Sequence, residues 1–100
     1  MNIPKKVRVG AQSYKVVISK EVGQYGRYGE CDSTRVEIRL DADSATQRQE
    51  QTLIHELFEA VNFEFAVGLK HHQIELLEVA MCQIVRDNPR LFERGESASS

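Results

Sequence analysis

Charged and apolar residues alternate from Lys5 to Val9, the period-two signature of a short strand, and Tyr14 to Ser19 reads as a second strand rich in β-branched residues. The Gly10-Ala11-Gln12-Ser13 stretch between them predicts a tight connection, so the two strands should form a hairpin. The segment QYGRYGECD, with two glycines and two tyrosines, reads as a turn. TRVEIRL then sets Val36, Ile38 and Leu40 against Arg35, Glu37 and Arg39, which predicts a half-buried strand over Arg35 to Leu40.

The period changes after Asp41 to Ser44. Asp43 or Ser44 is the expected cap of a helix from about Ala45 to Phe65, in which Ile54, Leu57, Phe58, Val61 and Phe65 fall on one face and which Gly68 ends. A second helix is expected from about His71 to Arg86, with an apolar stripe of Ile74, Leu77, Met81, Ile84 and Val85, stopped by Asn88-Pro89. The predicted architecture is α+β: a small antiparallel sheet, made of the hairpin and one further strand, followed by two helices. Residues 1–90 are read as a single domain and 91–100 as a flexible polar tail.

Composition supports one core. One hundred residues, 41% hydrophobic and 28% charged, suffice for a single compact domain and are too few for two. A net charge of -2 provides no footprint for nucleic acid or an anionic membrane, and Lys5, Lys6 and Arg8 read as a solvated strand edge. The start MNIPKKVRVG lacks the apolar run of a secretory signal, and nothing in the sequence approaches a membrane span, so a cytoplasmic protein is expected. Cys31 and Cys82 form no CxxC motif and read as free thiols of a reducing compartment.

The chemistry concentrates in TLIHELFEAVN, Thr52 to Asn62. A helical His-Glu-x-x-His offers two imidazoles to a zinc ion and a carboxylate to catalysis, but here the second histidine is replaced by Glu59. His55 and Glu59 still stand one turn apart at i, i+4 and point the same way, and imidazole nitrogen and carboxylate oxygen are both zinc ligands. Glu56 is rotated away from that pair, placed to act as general base on a metal-bound water.

Two histidines and a glutamate form a known catalytic zinc set, so the missing ligand should be a histidine. His71 and His72 are the remaining ones. Measured against the stripe through Ile74 and Met81, His71 projects at the core margin, whereas His72 points further out, which makes His71 the preferred third ligand. His72 is the alternative, and Glu75, one turn after His71, is the fallback. Cys31 is expected to pack as a small hydrophobe, although a thiol there would close the site and make the metal structural. Glu75 and Glu78 otherwise read as exposed acids, Cys82 as packing, and Tyr25 and Tyr28 as anchors of a turn that overhangs a cleft.

GECD followed by a strand, then TLIHELFEAVN, a short link and LLEVAMCQIVRDN resemble the small zincin-like metallopeptidases common among phage and prophage proteins. The resemblance covers roughly Tyr28 to Asn88 and implies His55 as first ligand, Glu56 as general base, and a third ligand in the helix after the motif, where His71 or His72 falls. Glu59 stands where that family has its second histidine. It also implies a peptide or protein substrate laid along the strand Arg35 to Leu40 by backbone pairing. The expected function is therefore a zinc-dependent peptidase or amide hydrolase. The alternatives are a catalytically inactive module that engages a host protein, with structural zinc or none, and a metal-free interaction protein. A phage-encoded chain would work in its bacterial host's cytoplasm.

Overall fold

The computed structural model describes residues 2–93. Strands β1 (Lys6–Val9) and β2 (Gln12–Ser19) form the expected hairpin, in register from Lys6 opposite Lys15 to Val9 opposite Gln12. The turn is two residues long, with Gly10 in the left-handed region at φ 60°. Gln12 and Ser13, read as connection, belong to β2 because the short turn leaves them paired.

Two elements were not anticipated. A short helix α1 (Lys20–Gln24) follows β2 directly, with the Ser19 hydroxyl accepting the Glu21 N–H at 3.1 Å. Strand β3 (Gly29–Asp32) then emerges from the glycine-rich turn and pairs antiparallel with β4 (Glu37–Asp41). The order is β1-β2-β4-β3, and β4 runs parallel to β2. The sheet is thus mixed rather than antiparallel, because the chain reverses in β3 before β4 is laid back between β3 and β2.

β4 begins at Glu37, later than the alternation suggested. The Asp32 carboxylate accepts the Arg35 N–H at 3.0 Å and Val36 is driven to φ 57°, a conformation costly for a β-branched residue, so the turn claims Arg35 and Val36. The alternation itself holds from there: Ile38 and Leu40 are fully buried, while Arg39 on the opposite face donates to Glu37 and Glu30.

Helix α2 (Thr46–Glu64) covers the sheet face bearing Val9, Tyr14, Val16, Ile38 and Leu40, using Leu53 and Ala60. Its start is uncapped by a side chain: Ala45 stands at the cap, and the Asp41 carboxylate accepts the Asp43 N–H and the Ser44 hydroxyl in the turn before it. Helix α3 (His71–Asp87) packs on α2 from another side through Ile74 and Cys82, with Ile54 of α2 and its own Val85 lining the seam. Asn62 fixes the connection by donating to the Leu69 carbonyl and accepting its N–H at 2.7 Å.

Having two neighbours, α2 buries two sides, and its sheet-facing side centres on Leu53, Glu56 and Ala60 rather than on Ile54 and Val61. Phe65, expected in the stripe, lies against the Gly10 turn and remains 60% exposed. On α3, Leu77 and Ile84 of the expected stripe are also partly exposed, at 39% and 37%. The polar tail expected from residue 91 falls mostly outside the described residues. Among the described residues no helix is long and apolar enough to cross a membrane.

Candidate metal centre

The strand β3 comes close to α2 because Gly29 has no side chain. A Cβ there would stand 2.5 Å from the Thr52 methyl group and 2.9 Å from the Arg39 carbonyl oxygen, so any other residue would push the strand off the helix. The approach makes a groove whose walls include Glu30 and Cys31 from β3, His55, Glu56 and Glu59 from α2, and His71 from α3.

Within it, His55, Glu59 and His71 each bring one potential ligand atom, all within 4.8 Å of one another. These are the three residues preferred from the sequence. His55 Nε2 stands 3.8 Å from Glu59 Oε2, and the two imidazole rings meet edge to face with centroids 5.8 Å apart. Around a tetrahedral zinc with bonds of about 2.0–2.2 Å, donor atoms sit roughly 3.3–3.5 Å from each other, so the cluster has to tighten on binding. The freedom to do so lies in His71, whose side chain is 72% exposed, and in Glu59 at 37%.

The other candidates do not join this cluster. His72 is exposed on the next position of α3. Glu75 Oε1 stands 2.8 Å from His71 Nε2, holding one ring nitrogen and leaving the other for a metal. Cys31 lines the groove, but its thiol faces Ser33 and burial pushes its pKa up to about 11, against a smaller lowering by the Ser33 hydroxyl. A protonated thiol is a poor ligand. Cys82 is buried at the helix seam, as packing.

Sequence reasoning missed Glu78. Far from being an exposed acid, it is 15% exposed, and its Oε1 lies 2.7 Å from His55 Nδ1 while Gln51 Nε2 donates to its Oε2. With Nδ1–H engaged by a carboxylate, the imidazole is left with Nε2 as the lone-pair nitrogen on the Glu59 side, and its ring is held at a fixed angle. The signal was present: Glu78 is the acid in the i, i+4 ladder Ile74, Glu78, Cys82, whose other two members are the buried residues of α3. If the cluster holds a metal ion, Glu78→Gln should lower the affinity for it by about 10–100-fold, read by competition with a chromophoric chelator. Unchanged affinity would remove Glu78 from the site.

Glu56 was expected to be rotated away from the ligand pair, and it is, but inward. It is 7% exposed, facing the sheet side of the groove. Burial pushes its carboxyl up to about 7, against His55 and with help from Glu59, Glu30 and Glu78. A carboxyl poised near neutrality suits a general base.

The strand Arg35 to Leu40, expected to offer an edge to a peptide, is flanked by β2 and β3 on its two sides. The edge beside the cluster is that of β3. Tyr28, at 57% exposure, does overhang the groove and packs under the Arg48 guanidinium, whereas Tyr25 faces a separate hollow with Glu21 and Arg39. In comparisons with known proteins, no family model, no curated protein and no solved structure matches this chain.

Proposed function

We propose that this chain is a zinc-dependent hydrolase of peptide or amide bonds, with His55, Glu59 and His71 as metal ligands and Glu56 as general base. The observation that carries the reading is convergence: three ligand-type side chains from two helices meet within 4.8 Å, beside a buried carboxyl. The donor set fits the metal, since two imidazoles and one carboxylate are a catalytic zinc combination that leaves a fourth position open. A zinc ion there would act as Lewis acid on a carbonyl oxygen and raise the acidity of water.

The protein's own groups supply the rest. Glu78 and Gln51 hold the His55 ring, and Glu56 takes the proton of the attacking water and returns it to the departing amine. The open edge of β3 borders the groove and offers backbone N–H and C=O groups to an extended peptide. The resemblance of the motif and its flanks to small zincin-like peptidases agrees with this assignment.

The test is the metal content of untagged protein purified without chelator. Close to one zinc per chain is expected, falling to background in His55→Ala. Protein that is metal-free and takes up no zinc on titration would end the hydrolase reading. A second reading, a module that engages another protein without turnover, draws on the outer face of α3, where Leu76 and Val79 are 68% and 60% exposed. Capture of one partner equally by wild type and Glu56→Gln, without cleavage, would favour it.

A further inference from the structure

The groove does not stop at the metal cluster. It continues along α2 past Thr52 to Arg48, with Gly26, Arg27 and Tyr28 on the facing wall, as a hollow of about 400 Å³. Along this path the carboxylates are Glu56, Glu75 and Glu78, and beyond the cluster come Glu30 and Glu59. The far end is different. Arg48 stands there, whereas Arg27 lines both hollows and lies 3.5 Å from Glu30.

Arg48 makes neither a hydrogen bond nor an ion pair among the described residues. Its guanidinium carbon sits 4.9 Å from the centroid of the Tyr28 ring. A guanidinium placed over an aromatic ring is attracted to the ring face without using up its N–H donors. A fork of donors held in place, with no acceptor from the protein, is what a planar anion binds in bidentate fashion.

Helix geometry sets the reach. Arg48 precedes His55 by seven residues, roughly 10 Å along the helix axis. An extended peptide covers about 3.3 Å per residue, so a carbonyl at the cluster and a carboxylate at Arg48 would be about three residues apart.

We propose that Arg48, stacked on Tyr28, is an anion-binding subsite of this groove that takes a peptide carboxylate about three residues from the bond held at the metal cluster. That carboxylate is either the chain terminus or an acidic side chain. The hydrolase reading supplies which peptide atom lies at the cluster, while the subsite itself needs no metal. Tyr28 is its platform.

The experiment uses protein stripped of metal and dialysed free of chelator, titrated with three probes while the backbone amide signals of Tyr28 and Thr52, which line the hollow in wild type and variant alike, are followed by NMR. The probes are N-acetyl-tetraalanine, its C-terminal carboxamide, and the carboxamide in which the last alanine is replaced by aspartate. In the wild type at least one acidic probe should bind about tenfold more tightly than the neutral one, and whichever acid does so identifies terminus or side chain. Arg48→Gln should bind all three alike. This substitution is safe for the fold, since Arg48 is exposed and a cation in the first turn of a helix opposes its dipole.

Equal binding of acidic and neutral probes by the wild type, or a preference that survives Arg48→Gln, overturns the subsite. A chain that takes up no zinc yet keeps the carboxylate preference keeps the subsite and loses the hydrolase reading. A chain that holds zinc and cleaves peptides with no such preference does the reverse.

Discussion

Under the proposed hydrolase mechanism, Glu56→Gln should lower peptide hydrolysis by a factor of about 10²–10⁴, while leaving the zinc content untouched. The two effects separate because of where the side chain points. Glu56 follows His55 on α2 but is rotated about 100° from it and is buried, while the potential ligand atoms of His55, Glu59 and His71 converge on one another in the same groove. An amide of the same shape preserves the packing around position 56 and removes the base. His55→Ala is the complementary case, losing metal and turnover together. The measurement is mass-spectrometric cleavage of a mixed peptide pool by zinc-loaded wild type and variant at matched metal occupancy. If the variant cleaves the pool as fast as the wild type, Glu56 is not the base and the mechanism fails.

The cluster of His55, Glu59 and His71 was legible in the sequence, and the residues around it were not, for reasons that differ by residue. His55 and Glu59 are one helical turn apart, a relation fixed by α-helix geometry whatever the helix packs against. His71 followed from counting histidines and placing each on its helix. Glu78 could not be found that way, because its role depends on which face of α3 meets α2, and the apolar stripe placed that face too near Met81.

The same ambiguity hid the burial of Glu56. A helix packed against one neighbour shows a single stripe, and α2 packs against both a sheet and a helix, so its apolar positions spread and their mean direction misplaced the centre of the buried side. The sheet failed more locally. Four residues of mixed polarity, Gly29 to Asp32, carry too weak an alternation to announce a strand, and β3 exists because β4 pairs with it and Gly29 lets it fit beneath Thr52. The parallel pairing of β2 with β4 follows from β3, so missing one strand cost the topology.

Glu56 also makes the metal-free protein sensitive to pH, in a direction opposite to that of a salt-bridged carboxylate. Its carboxyl has an ordinary value of 4.5 and is pushed up to about 7 in the folded chain, by burial first and by Glu59, Glu30 and Glu78 next, with His55 opposing. Between those two values the folded chain holds more proton than the unfolded chain. Stability is then greatest below pH 4.5 as far as this group is concerned, and is lost as pH rises through about 7. The shift corresponds to something on the order of 3 kcal/mol, and for a domain of this size each kcal/mol moves Tm by about 4–8 °C.

Thermal melts of chelator-stripped wild type and Glu56→Gln across this range should diverge steadily, the variant gaining on the wild type as pH rises. The difference between the two curves isolates Glu56 from every group the two proteins share. Adding zinc should shrink the difference, since a dication beside the groove favours the carboxylate form and lowers the same pKa that burial raises. Parallel melts in the stripped proteins would mean that the Glu56 carboxyl is solvated rather than buried, and with it the poised base would go.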